Sequence, residues 1–364
     1  MPIYMDVHIV PGVKARDVAE AHRKDLLHQE EHHCKCMTYW IDEERENIFC
    51  LIEAPSKDAV EEMHSKAHGL IPNKIIEVSN ELVQSFLGRI YDPEEAQTNG
   101  EGLKIFADPS YRLLVVTRIT DPVLLKYKLG ADKANELLSE HNNIIRNYTG
   151  QYGGSEVEHE GTNFIISFAS ASKAVSCALD ILKNMPNRDG IGFRIAVNGG
   201  DPVENSNRIF GDTIQFANNM CNITEKPQVA ISSTVRKMVS KDHLQNVQKE
   251  FFNLSPQDEV LLRLLFGKLE ENWQDADFDI PDYCRAMAMS RSQLYRKTIM
   301  LTALSPNLLL KEFRLARAKE SMKRQCHTIA QITFDSGFTS ASYFTKCFKK
   351  KYGLLPMAYL ELLH

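Results

Sequence analysis

Imidazole nitrogens and thiolates are ligands for divalent nickel, zinc and copper, and the chain gathers many of them near its start. In ARDVAEAHRKDLLHQEE a helical repeat puts Val18, Ala21, His22, Asp25 and Leu26 on roughly one face. In SKDAVEEMHSKAHG the same repeat groups Val60, Met63, His64 and Ala67, with His68 one turn beyond His64. Asp6 and His8 alternate onto one side of the extended run YMDVHIV. A cluster of His8, His22, His64 and His68 between helices and sheet is therefore geometrically allowed, and its imidazoles suit nickel, zinc or copper. The spacing is equally open to histidines held by hydrogen bonds in a small core. A separate group, HHCKC from His32 to Cys36, has soft-metal composition but no regular finger spacing.

To position these groups the chain must first build a sheet. YMDVHIV reads as a strand, the first histidine-bearing segment as a helix, and CKCMTYWIDEERENIFCLIEA as a hairpin turning at EEREN. The second such segment reads as a helix, stopped at Gly69, and KIIEVS as a strand. The order β-α-β-β-α-β predicts a ferredoxin-like α+β domain over residues 1–91, with both helices on one face of a four-stranded antiparallel sheet. MPIYMDVHIVPGVKARDVAEAHRKD, TYWIDEERENIFCLIEAP and the HSKAHG helix end resemble the small nickel-responsive-protein family. That resemblance implies nickel or a similar divalent ion as ligand, and dimerisation. DPEEAQTNGEG, residues 92–102, is acidic and glycine-bearing and reads as a linker.

Residues 103–250 alternate strand and helix: RLLVVTRIT, a helical stretch from Pro122 to Gly150, the hairpin EVEHEGTNFIISF, the helix ASKAVSCALDILKNM, then IGFRIAVNGGDPVE, RIFGDTIQFANNMCNI and QVAISSTVRKMV. This α/β order and the strings NFIISFASASKAVSCALDIL, FRIAVNGGDPVE and IFGDTIQFANNM resemble the catalytic domain of class III nucleotide cyclases. The resemblance implies two metal-holding aspartates, whose positions fall here on Arg118 and Thr162. The Asn and Arg that orient ribose and stabilise the transferring phosphate fall on Gln215 and Asn219. A fixed guanidinium in place of a carboxylate opposes Mg²⁺. A pseudo-cyclase is expected, keeping the fold, head-to-tail pairing and a pocket for a small-molecule or nucleotide ligand, without turnover. Asp121, Glu158 and Glu160 are nearby acids able in principle to substitute, so the alternative is an active class III adenylate or guanylate cyclase with regulatory end domains.

Charge is sorted along the chain. Residues 1–92 carry 10 Lys/Arg against 17 Asp/Glu, whereas residues 283–364 carry 14 against 4, a basic pole suited to polyanionic phosphate. In residues 251–364, S-P-Q-D from Ser255 opens an amphipathic helix whose buried stripe is expected to be Leu261, Leu264, Leu265 and Leu269. DIPDYCRAMAMSRSQLYRK reads as helix, turn, helix, and TIAQITFDSGFTSASYFTKCFKKKYG repeats that order. Between them NLLLKEFRLARAKESMKR forms a helix of about 19 residues, about 28 Å long, which would set the two second helices about one DNA turn apart. In the second unit Phe344 and Phe348 give one buried side, leaving Ser342, Thr345, Lys346 and Lys349 outside.

SRSQLYRK and GFTSASYFTKCFKKKYGLLP resemble the DNA-binding domain of AraC/XylS transcription regulators. By that resemblance the base-facing residues are Ser292, Tyr295 and Arg296 in the first unit and Ala341, Ser342, Thr345 and Lys346 in the second. Lys297, Lys349 and Lys350 are expected at phosphates, where they set affinity rather than sequence choice. The family's turn glycine, its helix-ending glycine and its small alanine are here Ala288, Ala303 and Thr333. Ala at positive φ costs on the order of 1 kcal/mol.

Scattered cysteines argue against a disulfide framework, no apolar run is long enough to span a membrane, and no signal peptide stands at the start. Together these features predict a multidomain chain: α+β ferredoxin-like, then α/β class III cyclase-like, then an all-α double helix-turn-helix. The function expected of it is that of a cytoplasmic, homodimeric, metal- or ligand-controlled regulator that binds double-stranded DNA and catalyses no reaction.

Overall fold

The computed structural model describes residues 1–94, 96–98, 103–119, 121–160, 163–185, 192–223, 228–240, 248–324 and 328–363. Strands β1 (Ile3–Ile9), β2 (Lys35–Asp42), β3 (Asn47–Glu53) and β4 (Lys74–Val78) form an antiparallel sheet in the order β2-β3-β1-β4. Helices α1 (Ala15–His28) and α2 (Lys57–Ala67) connect them, giving the expected β-α-β-β-α-β order. Ser56 caps α2 by accepting from the Ala59 amide at 3.2 Å.

Most residues of β1, β2 and β3 are buried because both faces of this sheet are covered. One face, with Tyr39, Ile41 and Ile52, packs on α1 and α2 through Val18, Val60 and Met63. The other, with Met5, Trp40, Phe49 and Leu51, packs on a helix absent from the sequence expectation, α3 (Asn80–Leu87). The same apolar cluster continues into Leu114, Ile209 and Phe210 of the middle domain.

Part of the expected linker belongs to this first domain. Short strands β5 (Gln97–Thr98) and β6 (Lys104–Ile105) pair with each other, and Leu103 and Phe106 enter the first core. Phe106 stacks on Tyr39 with ring centroids 4.1 Å apart.

The middle sheet comprises β7 (Arg112–Arg118), β8 (Ser155–Glu160), β9 (Asn163–Phe168), β10 (Arg194–Gly200), β11 (Val229–Ile231) and β12 (Phe251–Asn253), in the order β12-β11-β10-β7-β9-β8. Its centre is antiparallel, and β11 and β12 extend it in parallel. The sheet therefore runs past the division expected at residue 250. The stretch expected to be helical from Pro122 onward is two helices, α4 (Pro122–Leu129) and α5 (Ala131–Gln151), broken at Gly130, where φ is +83°. Helix α6 (Ala171–Asn184) covers the face bearing Val115, Ile166 and Val197, and α7 (Gly211–Ile223) covers the opposite face bearing Val116 and Ala196. A short α8 (Ser233–Met238) follows β11.

Seven helices make up the described C-terminal part: α9 (Pro256–Asn272), α10 (Ile280–Ala286), α11 (Arg291–Thr302), α12 (Pro306–Lys323), α13 (Ile329–Asp335), α14 (Ala341–Tyr352) and α15 (Pro356–Glu361). The capping box at Ser255 is formed, Ser255 Oγ accepting from the Asp258 amide at 3.1 Å while Asp258 accepts from the Ser255 amide at 3.3 Å. The buried stripe of α9 differs from expectation by one residue. Leu264 is 47% exposed and Leu262 is fully buried in its place, because α9 packs against both α7 and α11 rather than resting on one layer. Among the described residues no helix is long and apolar enough to cross a membrane.

Candidate metal centre and nucleic-acid interface

Strand alternation brings Asp6 and His8 of β1 to the helix-covered face, beside Cys50 of β3, and α2 lowers His64 onto them. The donor atoms of Asp6, His8, Cys50 and His64 all lie within 4.8 Å of one another, as do those of a second set, Asp25, His64 and His68. His64, fully buried, joins the two: Nε2 lies 3.0 Å from Asp6 Oδ2, and Nδ1 lies 3.1 Å from Asp25 Oδ1 and 3.0 Å from His68 Nε2.

Burial disfavours a charged His64, but Asp6 and Asp25 outweigh it and raise its pKa to about 10. Burial likewise opposes ionisation of Asp6, and the facing imidazoles His64 and His8 overcome it, holding the carboxyl far below the usual range. Asp6 Oδ1 lies 3.3 Å from His8 Nε2 yet receives no well-directed hydrogen bond. A nitrogen-rich set with hard carboxylates and one thiol suits a late divalent transition metal, and the unsatisfied oxygen is a place for one. An ion there would displace the His64 proton, since only neutral imidazole ligates, and would fix β1, β3 and α2 to one another.

Three of the four expected histidines thus converge. His22 lines the same small cavity of about 20 Å³, but its ion-pair partner is Asp92 at 3.7 Å, from the expected linker. Cys50 was not foreseen, since one cysteine in an apolar strand carries no local signal. HHCKC does not assemble. Cys34 and Cys36 are buried in the apolar core, Cys36 Sγ against Met63 Sδ at 3.6 Å, while His33 is exposed and takes φ +53°.

In the C-terminal part α10–α11 and α13–α14 are the two helix-turn-helix units, joined by α12. Ser290 and Ser340 cap the second helix of each, accepting from the amides of Gln293 and Tyr343, both at 3.3 Å. Ser292 and Arg296 are exposed on α11, as are Ala341, Ser342, Lys346, Lys349 and Lys350 on α14, while Lys297 and Thr345 are half-buried. Phe344 and Phe348 are fully buried beneath α14. Tyr295 is half-buried and engaged: its hydroxyl accepts from Asn307 Nδ2 at 2.9 Å, tying α11 to the start of α12.

Both substituted turn positions adopt the backbone that glycine would relieve, with φ +50° at Ala288 and +55° at Ala303. Thr333 is fully buried and donates back to the Ile329 carbonyl at 2.8 Å.

Three of the four positions singled out by the cyclase resemblance line one cleft. Arg118 at the end of β7 faces Gln215 and Asn219 on α7, with Glu158 nearby; Thr162 and the side chain of Glu160 lie outside the described residues. Asp121 is no spare metal ligand. Its Oδ1 caps α4 by accepting from the Val123 amide at 2.9 Å, and its Oδ2 accepts from Lys319 Nζ at 2.7 Å and the Tyr359 hydroxyl at 2.8 Å.

Comparison with known proteins agrees with the two ends. Residues 4–78 match the family "Nickel responsive protein SCO4226-like", and residues 283–361 match the "Helix-turn-helix domain" family. Over 129 residues the chain is 30% identical to "Histidine kinase P4" of Formosa agariphila, covering 35% of this chain and 9% of that protein. It is 28% identical to the "HTH-type transcriptional activator RhaS" of Mannheimia succiniciproducens, covering 37% of this chain and 55% of the relative. The chain thus spans less than two thirds of either relative. Among solved structures, an adenylate cyclase from Trypanosoma brucei aligns at 15% identity and TM-score 0.33, over 38% of this chain and 79% of that one. The chain therefore carries a nickel-responsive-protein-like domain at its start and an AraC-type helix-turn-helix domain at its end, with an α/β domain between them.

Proposed function

We propose that the chain is a cytoplasmic, homodimeric transcription regulator that binds double-stranded DNA through α11 and α14, under the control of a divalent metal held by the N-terminal cluster. The observation that carries this reading is the pair of helix-turn-helix units on one 18-residue helix, about 27 Å long, each presenting a polar or basic outer face. Ser292, Arg296, Ser342, Thr345 and Lys346 are assigned to base edges, and Lys297, Lys349 and Lys350 to phosphates. His8 and His64, with Asp6 and Cys50, are assigned to one metal-holding set, and His68 and Asp25 to a second that shares His64, nickel foremost. His22 supports the cluster from Asp92 rather than ligating.

No nucleotide cyclisation is assigned. By the cyclase resemblance Arg118 falls where a metal-binding carboxylate is required, and both oxygens of Asp121 are engaged, Oδ1 by the Val123 amide and Oδ2 by Lys319 and Tyr359 of the DNA-binding domain. The test is binding of the full chain to promoter DNA at several salt concentrations, with and without nickel, alongside metal analysis and mass in solution. Salt-sensitive binding that nickel shifts is expected. Binding that nickel leaves unchanged would remove metal control, and no binding to any DNA would remove the regulator reading.

A further inference from the structure

Between the middle domain and the DNA-binding domain lies a cleft of about 450 Å³, within the size range of small-molecule sites. Helix α7 presents to it a stripe of four carboxamides at helical spacing, from Gln215 through Asn218 and Asn219 to Asn222, beside Arg118 at the end of β7. Across from them stand Phe266 and Glu270 of α9, and Phe313 and Arg317 of α12. The walls thus combine an apolar surface with convergent polar groups, and they come from two domains.

Three arginines and three glutamates line the cleft, and Arg118, Arg208 and the exposed Glu158 form no ion pair among the described residues. Arg317 is committed, its guanidinium donating to Glu320 at 2.9 Å and to Glu270. Arg118 is not: its Nε donates to the neutral Asn218 Oδ1 at 2.9 Å, and it has no carboxylate partner among the described residues. Its remaining N–H groups form the fork that takes carboxylates and phosphates in bidentate fashion. Arg208, from the loop ahead of α7, is exposed and lines the same space, also without a carboxylate partner among the described residues.

We infer that this cleft binds a small organic anion, a carboxylate or phosphate on a hydrogen-bonding body, with Arg118 and Arg208 taking the anionic group and the carboxamide stripe of α7 reading the body. Because one wall is α12, the helix that spaces the two recognition helices, occupancy acts directly on their placement. That consequence rests on the regulator reading above; the binding itself does not.

The experiment is calorimetric titration of the full chain, free of metal and DNA, with AMP, glucose 6-phosphate and citrate, followed by operator titrations in the presence of whichever binds. At least one of the three is expected to bind, phosphate esters or citrate according to the anion preferred. Arg118→Gln should weaken that binding by about tenfold or more, as loss of a charge-assisted pair does. Arg208→Gln, at an exposed side chain that leaves the fold intact, should weaken it as well. Failure of all three probes to bind, or binding that neither substitution changes, overturns the site. Operator affinity unmoved by a bound anion overturns the coupling. Failure of the chain to bind DNA at all would instead fall on the regulator reading, since the titrations contain no DNA.

Discussion

At Ala303 a methyl group sits in the left-handed region, φ +55°, where α11 ends, and Ala288 repeats the pattern at φ +50° in the preceding turn. Ala303→Gly should therefore raise the stability of the chain by about 1 kcal/mol, read as a higher denaturant midpoint at unchanged slope. A lower midpoint would mean that the added freedom of the unfolded chain outweighs the strain. Gly337, φ +74° in the second unit, is the opposite case, because a Cβ there would run into the carbonyl oxygen of Trp273, which accepts from Arg314 at 2.9 Å. A different residue-level cost lies between the first two domains. Asp201 is raised to about 6 by burial, with Glu204 and Asp42 adding like charge and Arg45 opposing, and its Oδ1 has no hydrogen-bond partner. Since that value lies above the ordinary 3.8, the carboxyl favours the fold only when protonated. Its contribution is intact below about pH 4 and lost as pH rises through about 6. Asp201→Asn should then stabilise the chain by roughly 1–2 kcal/mol at pH 8, after allowance for solvent screening, with the difference from the parent closing by about pH 4. Urea titrations at the two pH values check this, and equal stability at pH 8 would contradict it.

Among the elements, the two recognition helices are unequal. Helix α14 closes on Gly353 at φ +85° and carries Lys349, Lys350 and Lys351 in its last turn. Helix α11 is flanked by two alanines at positive φ, and one of its expected base readers, Tyr295, is already bonded to Asn307. Lys346→Ala should therefore weaken operator binding by roughly 1–3 kcal/mol, and Arg296→Ala by clearly less; equal losses in a titration on the same operator would contradict the asymmetry. The elements themselves were largely legible in the sequence, because strand alternation, caps such as Ser255 and Ser340, and the Phe344–Phe348 spacing are local signals. The positive φ at Ala288 and Ala303 was legible too, from the glycines they replace. What could not be read depends on contacts distant in sequence. Cys50 joins the metal-like cluster only through strand register, Leu262 displaces Leu264 only because α9 is covered on two sides, and α3 is needed only because the first sheet has a second face to bury.

For the whole molecule, the expectation of three modules in series misses how they are joined. Phe216, Ala217 and Met220 of α7 share one apolar cluster with Leu262 and Leu265 of α9 and with Tyr283 and Leu294 of the first helix-turn-helix unit. Leu124 of α4 lies in the core of the second unit, and the buried Asp121–Lys319–Tyr359 contact sits beside it. Lys74 holds the first domain to the middle one by donating to the carbonyls of Glu204 at 2.9 Å, Ser206 at 2.7 Å and Asn205. Cores that are continuous unfold together, so the middle and DNA-binding domains should behave as one cooperative unit. The two tryptophans make this measurable, since Trp40 lies in the first sheet and Trp273 at the end of α9. In a Trp40→Phe background, fluorescence reports on Trp273 alone. Ile166 is fully buried in the middle core, on the face away from the DNA-binding helices. Ile166→Ala should cost about 2–5 kcal/mol as a large-to-small core substitution, and the Trp273 transition should move down by the same amount as the far-UV transition. A Trp273 transition that stays in place while the middle domain melts early would show instead that the DNA-binding domain stands alone, and the route from the cleft to α12 would then lack the rigid joint it requires.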